Sequence, residues 1–260
     1  MSHDVLQALA IIAAGLAAGT INTVVGSGTL ITFPALLAFG YAPLLANVSN
    51  NVGLVPGVAS GVFGYRAELT GQRRRILRLG TASSGGGLAG AILLLTLPQA
   101  AFKAIVPVLI GVAVAMVVIA PRLAAWVTAR QQARVAAPGP AAEAIGGPVV
   151  WVLVFLAGIY GGYFGAAQGV LLIGMLGIAL GDTLQRINAV KNVLAGLVNG
   201  LAAVVFIIAT HIDWGAAGLI AVGSIIGGQL GARIGRRLSP WGLRVLIVCV
   251  GVAALVKLLA

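Results

Sequence analysis

Eight apolar runs, at about 5–25, 43–64, 77–97, 102–120, 149–165, 187–210, 214–234 and 242–259, follow one another with mostly short polar gaps between them. A helix needs roughly 20 apolar residues to cross the hydrocarbon core of a bilayer. Runs of this length and number direct the chain into a membrane. Two shorter runs, about 29–39 and 168–180, each follow a long one after a glycine-containing break, Gly26-Ser27-Gly28 and Gly165-Ala166-Ala167-Gln168-Gly169. The apolarity goes all round each run, as burial in lipid and protein requires. No short alternating strands of a barrel are visible. Composition closes the alternative: 60% of the residues are hydrophobic and 8% charged, against about 45–50% and about 25% in soluble domains. A soluble enzyme is excluded. The expected fold is an all-α membrane protein of about eight long and two short transmembrane or re-entrant helices.

The net charge is +11, from 16 Lys and Arg against 5 Asp and Glu. The basic residues cluster in the gaps, so they read as a topology signal and not as a nucleic-acid surface. Cys249 lies in an apolar run and is alone, which excludes an intramolecular disulfide and leaves packing or lipid contact. Met1-Ser2-His3-Asp4 lacks a basic leader, so the first run is expected to stay in the mature protein.

The longest polar stretch, 121–148, holds Arg122, Arg130, Gln131, Gln132, Arg134, Pro138, Gly139, Pro140 and Glu143. It reads as a flexible cytoplasmic linker between a first membrane repeat, 1–120, and a second, 149–260. The halves match at an offset of 141 positions: Asn47 and Asn51 fall on Asn188 and Asn192, and Ser83, Gly87 and Gly90 on Ser224, Gly228 and Gly231. Near the breaks the offset shifts, pairing Gly15 and Gly19 with Gly158 and Gly162.

Arg66, Arg73, Arg74, Arg75 and Arg78 place the 65–78 gap in the cytoplasm, and Arg233, Arg236, Arg237 and Arg244 place the gap near 233–244 there too. The His211–Asp213 gap, without Lys or Arg, falls outside. Counting crossings then puts equivalent gaps of the two halves on opposite sides. That is an inverted repeat with broken hairpins, and it places both termini outside the cytoplasm. Such repeats are a transporter architecture, with substrate held between them near the midplane.

The candidate site follows from this. In the first break, Asn22, Thr23, Gly26, Ser27 and Gly28 precede a short helix whose N-terminal end suits an anion; a capped tight turn is the plainer reading. Gln168 and Gly169 are the counterpart. Asn47, Asn50 and Asn51 open one spanning helix, and Asn188, Lys191 and Asn192 its mate. Polar groups there face an interior or cavity, or else only bond neighbouring helices. Lys191 is the sharpest residue: an ammonium a turn inside an apolar helix balances an anionic substrate, or snorkels to the interface. Asn199, deeper on that helix, reads as packing, and the Ser83 and Ser224 sets as helix crossings. All five acids and both histidines, His3 and His211, are peripheral, so no buried relay for protons is expected. No metal, cofactor or catalytic constellation is expected. Neutral polar groups with one lysine favour an anion.

The run Gly19-Thr20-Ile21-Asn22-Thr23-Val24-Val25-Gly26-Ser27-Gly28-Thr29-Leu30-Ile31-Thr32-Phe33-Pro34 resembles the opening of the TauE/SafE-type sulfite exporter family of bacterial membrane proteins. The resemblance continues through 46–57 and Gly64-Tyr65-Arg66, and Asn188-Ala189-Val190-Lys191-Asn192-Val193-Leu194 looks like its counterpart. The family's first break is often richer in glycine, and Ser27 here is expected to alter local hydrogen bonding. The resemblance implies a transporter, an exporter in the first instance, of sulfite, organosulfonates or related small organic anions in the bacterial inner membrane. The partners expected are that small anion and the lipid bilayer, with association into homo-oligomers left open. An anion channel of the same architecture, a membrane-embedded enzyme and a non-transporting scaffold are the alternatives.

Overall fold

The computed structural model describes residues 3–136, 147–234 and 240–259. Among these, ten helices follow in order: α1 (His3–Val24), α2 (Thr29–Ala38), α3 (Pro43–Gly64), α4 (Arg73–Thr96), α5 (Gln99–Ala136), α6 (Pro148–Tyr163), α7 (Gln168–Ala179), α8 (Leu184–Ala209), α9 (Trp214–Ile234) and α10 (Pro240–Leu259). The described residues contain no strand. Helix ends follow local chemistry. Pro43 and Pro148 open α3 and α6, where a missing N–H costs nothing. Thr183 caps α8 by accepting from the Arg186 N–H, and Asp213 Oδ1 accepts from the Ala216 N–H in the first turn of α9 at 2.8 Å.

Two sequence expectations change. The 121–148 stretch is not a linker throughout: α5 continues through Pro121 to Ala136. Ala, Arg and Gln are strong helix formers, and a proline can be carried within a long helix at the expense of one backbone bond. Residues 137–146, with Pro138, Gly139, Pro140 and Glu143, lie outside the described ones. The long runs are also less uniform than expected. Five described helices, α1, α4, α5, α8 and α9, are long and apolar enough to cross a membrane. Helix α6 has only 16 residues, and α3, with 22, is diluted by Asn47, Ser49, Asn50 and Asn51.

The helices pack in matching pairs. α1 lies on α9 as α6 lies on α4, α3 on α9 as α8 on α4, and α2 on α10 as α7 on α5; α3 and α8 cross each other. Small residues allow the closest of these approaches. A Cβ on Gly227 would come 2.1 Å from Leu16 O, and one on Gly86 would come 2.1 Å from Phe155 O. Ser224 Oγ donates to Gly53 O at 3.1 Å, and Ser83 Oγ to Leu194 O at 3.0 Å. The Ser83 and Ser224 sets are therefore helix crossings, as expected. The pairing of the breaks differs from the expected one. Gly26 corresponds to Gly165 and Ile21 to Tyr160, an offset of 139, which sets Gly19 against Gly158, one helical turn away from the pairing with Gly162. Glycines recur every four residues here, so adjacent turns look alike in sequence.

Apolar side chains such as Leu6, Leu9, Val108, Leu156 and Ile208 point outward, as a lipid-facing coat does, and Cys249 is exposed among them. The interior is polar where the helices break.

Candidate functional site

The two breaks meet. Gly26 turns with φ +87°, a left-handed conformation that glycine adopts without a Cβ penalty. Its carbonyl accepts from the Gly169 N–H at 3.0 Å. The backbones touch: a Cβ on Gly26 would sit 2.3 Å from Gly169 Cα.

Helix α1 stops at this crossing and leaves its last carbonyls without helical partners, at the negative end of its dipole. Helix α8 supplies the donors. Asn188 Nδ2 and Asn192 Nδ2 donate to Thr23 O at 3.1 and 3.3 Å. Lys191 Nζ donates to Asn22 O at 2.9 Å and to Thr23 O at 3.2 Å. Lys191 is 0% exposed, so it does not snorkel. Its partners are two neutral carbonyls, and among the described residues it makes no ion pair. A buried ammonium without a carboxylate is costly, and partial charges from a helix end offset only part of that cost.

The second break has a related arrangement with less charge. Asn47 Nδ2 donates to Tyr163 O, at the end of α6, at 3.1 Å. Asn51 Nδ2 meets Asn199 Oδ1 at 3.5 Å. Asn50, the counterpart of Lys191, turns to α2: it accepts from Thr32 Oγ1 and donates to Thr29 Oγ1. Asn50 thus ties α2 to α3, and its amide is spoken for.

Among the described residues, five buried side-chain polar atoms have no hydrogen-bond partner: Ser27 Oγ, Gln168 Nε2, Asn188 Oδ1, Tyr163 OH and Asn51 Oδ1. Native interiors leave few such atoms, and these lie in the breaks or on the asparagine-bearing turns facing them. The N–H groups of Ser27, Gly28 and Thr29 also make no backbone bond, and no side chain caps α2. Gln168 is held in place because Gly161 has no side chain: a Cβ there would fall 2.3 Å from Gln168 Cδ. Gly28 packs as tightly against Ala18 O, at 2.4 Å from an added Cβ.

The expected residues therefore divide. Lys191, Asn188 and Asn192 converge on Asn22 and Thr23 through backbone carbonyls. Gly26 and Gly169 form the crossing, with Ser27 and Gln168 beside it. Asn47 serves the second break, and Asn51 meets Asn199 of α8. Tyr163, Asn199, Thr29 and Thr32 join the expected residues. Thr29 and Tyr163 bound the two breaks in the sequence and Asn199 shares a helix with Lys191, whereas Thr32 carries no such signal.

An ionic cluster at one membrane face was not expected either. Arg75 Nη1 meets Asp182 Oδ2 at 2.8 Å and Arg186 Nε meets Asp182 Oδ1 at 2.9 Å. Arg75, which the sequence offers as a topology signal or a contact for anionic lipid headgroups, is 9% exposed. Burial of Asp182 works against its charge, but hydrogen bonds from Arg75, the Thr183 N–H and Arg186, with the Arg186 charge, outweigh it and hold the carboxyl below its usual range. A carboxyl lowered on folding stabilises the fold above its unfolded value, and that contribution is lost as pH falls through the folded value. Asp182→Asn is expected to lose about 2 kcal/mol at pH 7. Thermal melts in detergent should show this gap closing under acid, once the wild-type carboxyl is protonated.

The sulfite exporter TauE/SafE family model matches residues 11–258. A probable membrane transporter protein ORF9 from Sinorhizobium sp is 28% identical over 251 residues, covering 95% of this chain and 90% of the relative. The probable membrane transporter protein YfcA of Escherichia coli K12 is 24% identical over 243 residues, covering 93% and 86%. A probable membrane transporter protein of Haemophilus influenzae is 26% identical over 220 residues, covering 85% and 82%. No solved structure matches the chain.

Proposed function

The chain belongs to the TauE/SafE sulfite exporter family of membrane transporters, and on that premise we propose that it carries a small sulfur-containing or organic anion, such as sulfite or an organosulfonate, across the bacterial inner membrane. The observation that carries this reading is Lys191: a fully buried ammonium facing only neutral carbonyls. An anion beside it would replace the missing counter-charge. Ser27 Oγ and Gln168 Nε2, with the N–H groups of Ser27, Gly28 and Thr29, would donate to the anion's oxygens. The helix ends then act as fixed dipoles that need no rearrangement.

Alternating access between two inverted repeats is the mechanism we infer, with repeats at 1–120 and 149–260 and both termini outside the cytoplasm. The exchange-symmetric packing of α1–α5 with α6–α10 supports it. So do the paired bonds of Asn47 to Tyr163 O and of Asn188 to Thr23 O. The contact of Gly26 with Gly169 closes the centre, which fits a carrier that must move to pass its substrate better than an open channel. Counterflow in proteoliposomes tests this. Preloaded unlabelled sulfite or sulfoacetate should drive transient accumulation of the labelled anion, with saturable initial rates. Unitary currents without counterflow would mean a channel.

A further inference from the structure

A cavity lies away from the crossing, at the face opposite the Arg66 and Arg73–Arg75 rim. Its volume is about 260 Å³, and it is lined by Pro43, Leu44, Phe102, Lys103, Thr210 and His211 among others. Its lining includes no acid; Lys103 brings a full positive charge and His211 an imidazole that can donate to an anion. The acid nearest in sequence, Asp213, has one carboxylate oxygen turned into α9, where Oδ1 accepts from the Ala216 N–H at 2.8 Å.

The floor of this cavity is the link to the site. Phe102 is 2% exposed, and its ring lies 5.9 Å from that of Tyr163. Tyr163 is the last residue of α6. Its carbonyl accepts from Asn47, and its buried hydroxyl has no partner. Asn47 in turn sits one turn beyond Leu44 of the cavity wall. Cavity, phenyl ring and helix break thus stand in series.

We propose that this cavity is the outer vestibule of the anion path, drawing small anions through Lys103 and His211, and that Phe102 is the plug separating it from the second break. The inference rests on the transport reading for its purpose. Its geometry can be tested without any transport assay, so the two can fail separately.

The test uses the full chain with Cys249→Ala, carrying a single reporter cysteine, in right-side-out vesicles. Thr210→Cys reports the vestibule and Asn47→Cys the space behind the plug. The probes are two membrane-impermeant methanethiosulfonates, one bearing a sulfonate and one a quaternary ammonium, with each rate normalised to that of a free thiol. At Thr210→Cys the sulfonate reagent should hold an advantage of about fivefold at low salt, falling to about one in Lys103→Gln/His211→Gln and shrinking as salt is added. At Asn47→Cys labelling from outside should be slow, and should rise at least about tenfold when Phe102 is replaced by alanine; Phe102→Leu, which keeps more of the bulk, should give a smaller rise.

Three results would overturn the proposal: no charge preference at Thr210→Cys, labelling of that residue only from the opposite face, or equal labelling of Asn47→Cys with and without the Phe102 ring. Monodisperse gel filtration of each variant confirms that the protein under test is folded. If the labelling pattern holds while counterflow fails, the vestibule stands and the transport reading falls.

Discussion

Lys191→Met should reduce anion flux by about a hundredfold or more while leaving a folded protein. Removing one partner of a buried charge interaction costs about 3–5 kcal/mol, and about 1.4 kcal/mol is tenfold in affinity. Methionine keeps most of the volume and the apolar stem of Lys191, whose Cδ packs against Gly169. The α1 end also keeps two of its donors, since Asn188 and Asn192 both still reach Thr23 O. Loss of the ammonium also relieves the desolvation of an uncompensated charge, so the thermal midpoint should hold or rise. Loss of flux with stability retained separates a substrate-binding lysine from a merely structural one. A variant that melts early and transports normally when folded would assign Lys191 to holding α1. Substitution by arginine is not conservative here, because the larger fork does not fit a fully enclosed site.

Gly26→Ala should be the most damaging of the small substitutions. The added Cβ would meet Gly169 Cα at 2.3 Å, and φ is +87°. A left-handed conformation costs an L-residue roughly 1–2 kcal/mol, and overpacking about 1–3 more. The clash is backbone against backbone, so no side chain can swing aside. Gly169→Ala should behave similarly, because its Cβ would meet Gly26 Cα at 2.4 Å and Lys191 Cδ at 2.8 Å. The control is Gly200→Ala on α8, where nothing lies within 4 Å; with a helical backbone and open space, alanine should stabilise by about 0.5–1 kcal/mol. Expression and thermal melts of the three variants read the difference directly. A Gly26→Ala protein as stable as the Gly200→Ala protein would mean that the breaks do not cross as described.

Helix positions were legible in the sequence because apolar runs and glycine breaks are local signals. The run at 43–64 matches α3 end for end. Helix α5 was misread past 120 because Pro121 and the arginines look like a stop. In fact Pro121 is carried within a helix whose other residues favour it. The asparagine and lysine faces were legible too, since pairs four apart share one side of a helix. Their partners were not. Asn22 and Thr23 were marked for their side chains, but the structure uses their carbonyls, and every residue has one. Only the break in α1 decides which carbonyls are left free. The Arg75–Asp182–Arg186 cluster joins residues over a hundred positions apart, and no local pattern announces it. Tyr163 was legible as the start of the second break, but its pairing with Asn47 and Phe102 was not, because those partners lie far away in the chain.

Transport by this chain turns on an anion completing the charge of Lys191. Thermal stabilisation of the purified protein across sulfite, sulfate, thiosulfate, sulfoacetate, taurine and small carboxylates tests it most directly. A ligand that binds only the folded state raises stability with concentration over its Kd, by about 2.7 kcal/mol at a hundredfold excess. A graded shift is expected for one or a few sulfur anions in the wild type and none in Lys191→Met. A flat response from well-folded wild type, or an equal shift in both proteins, would contradict it.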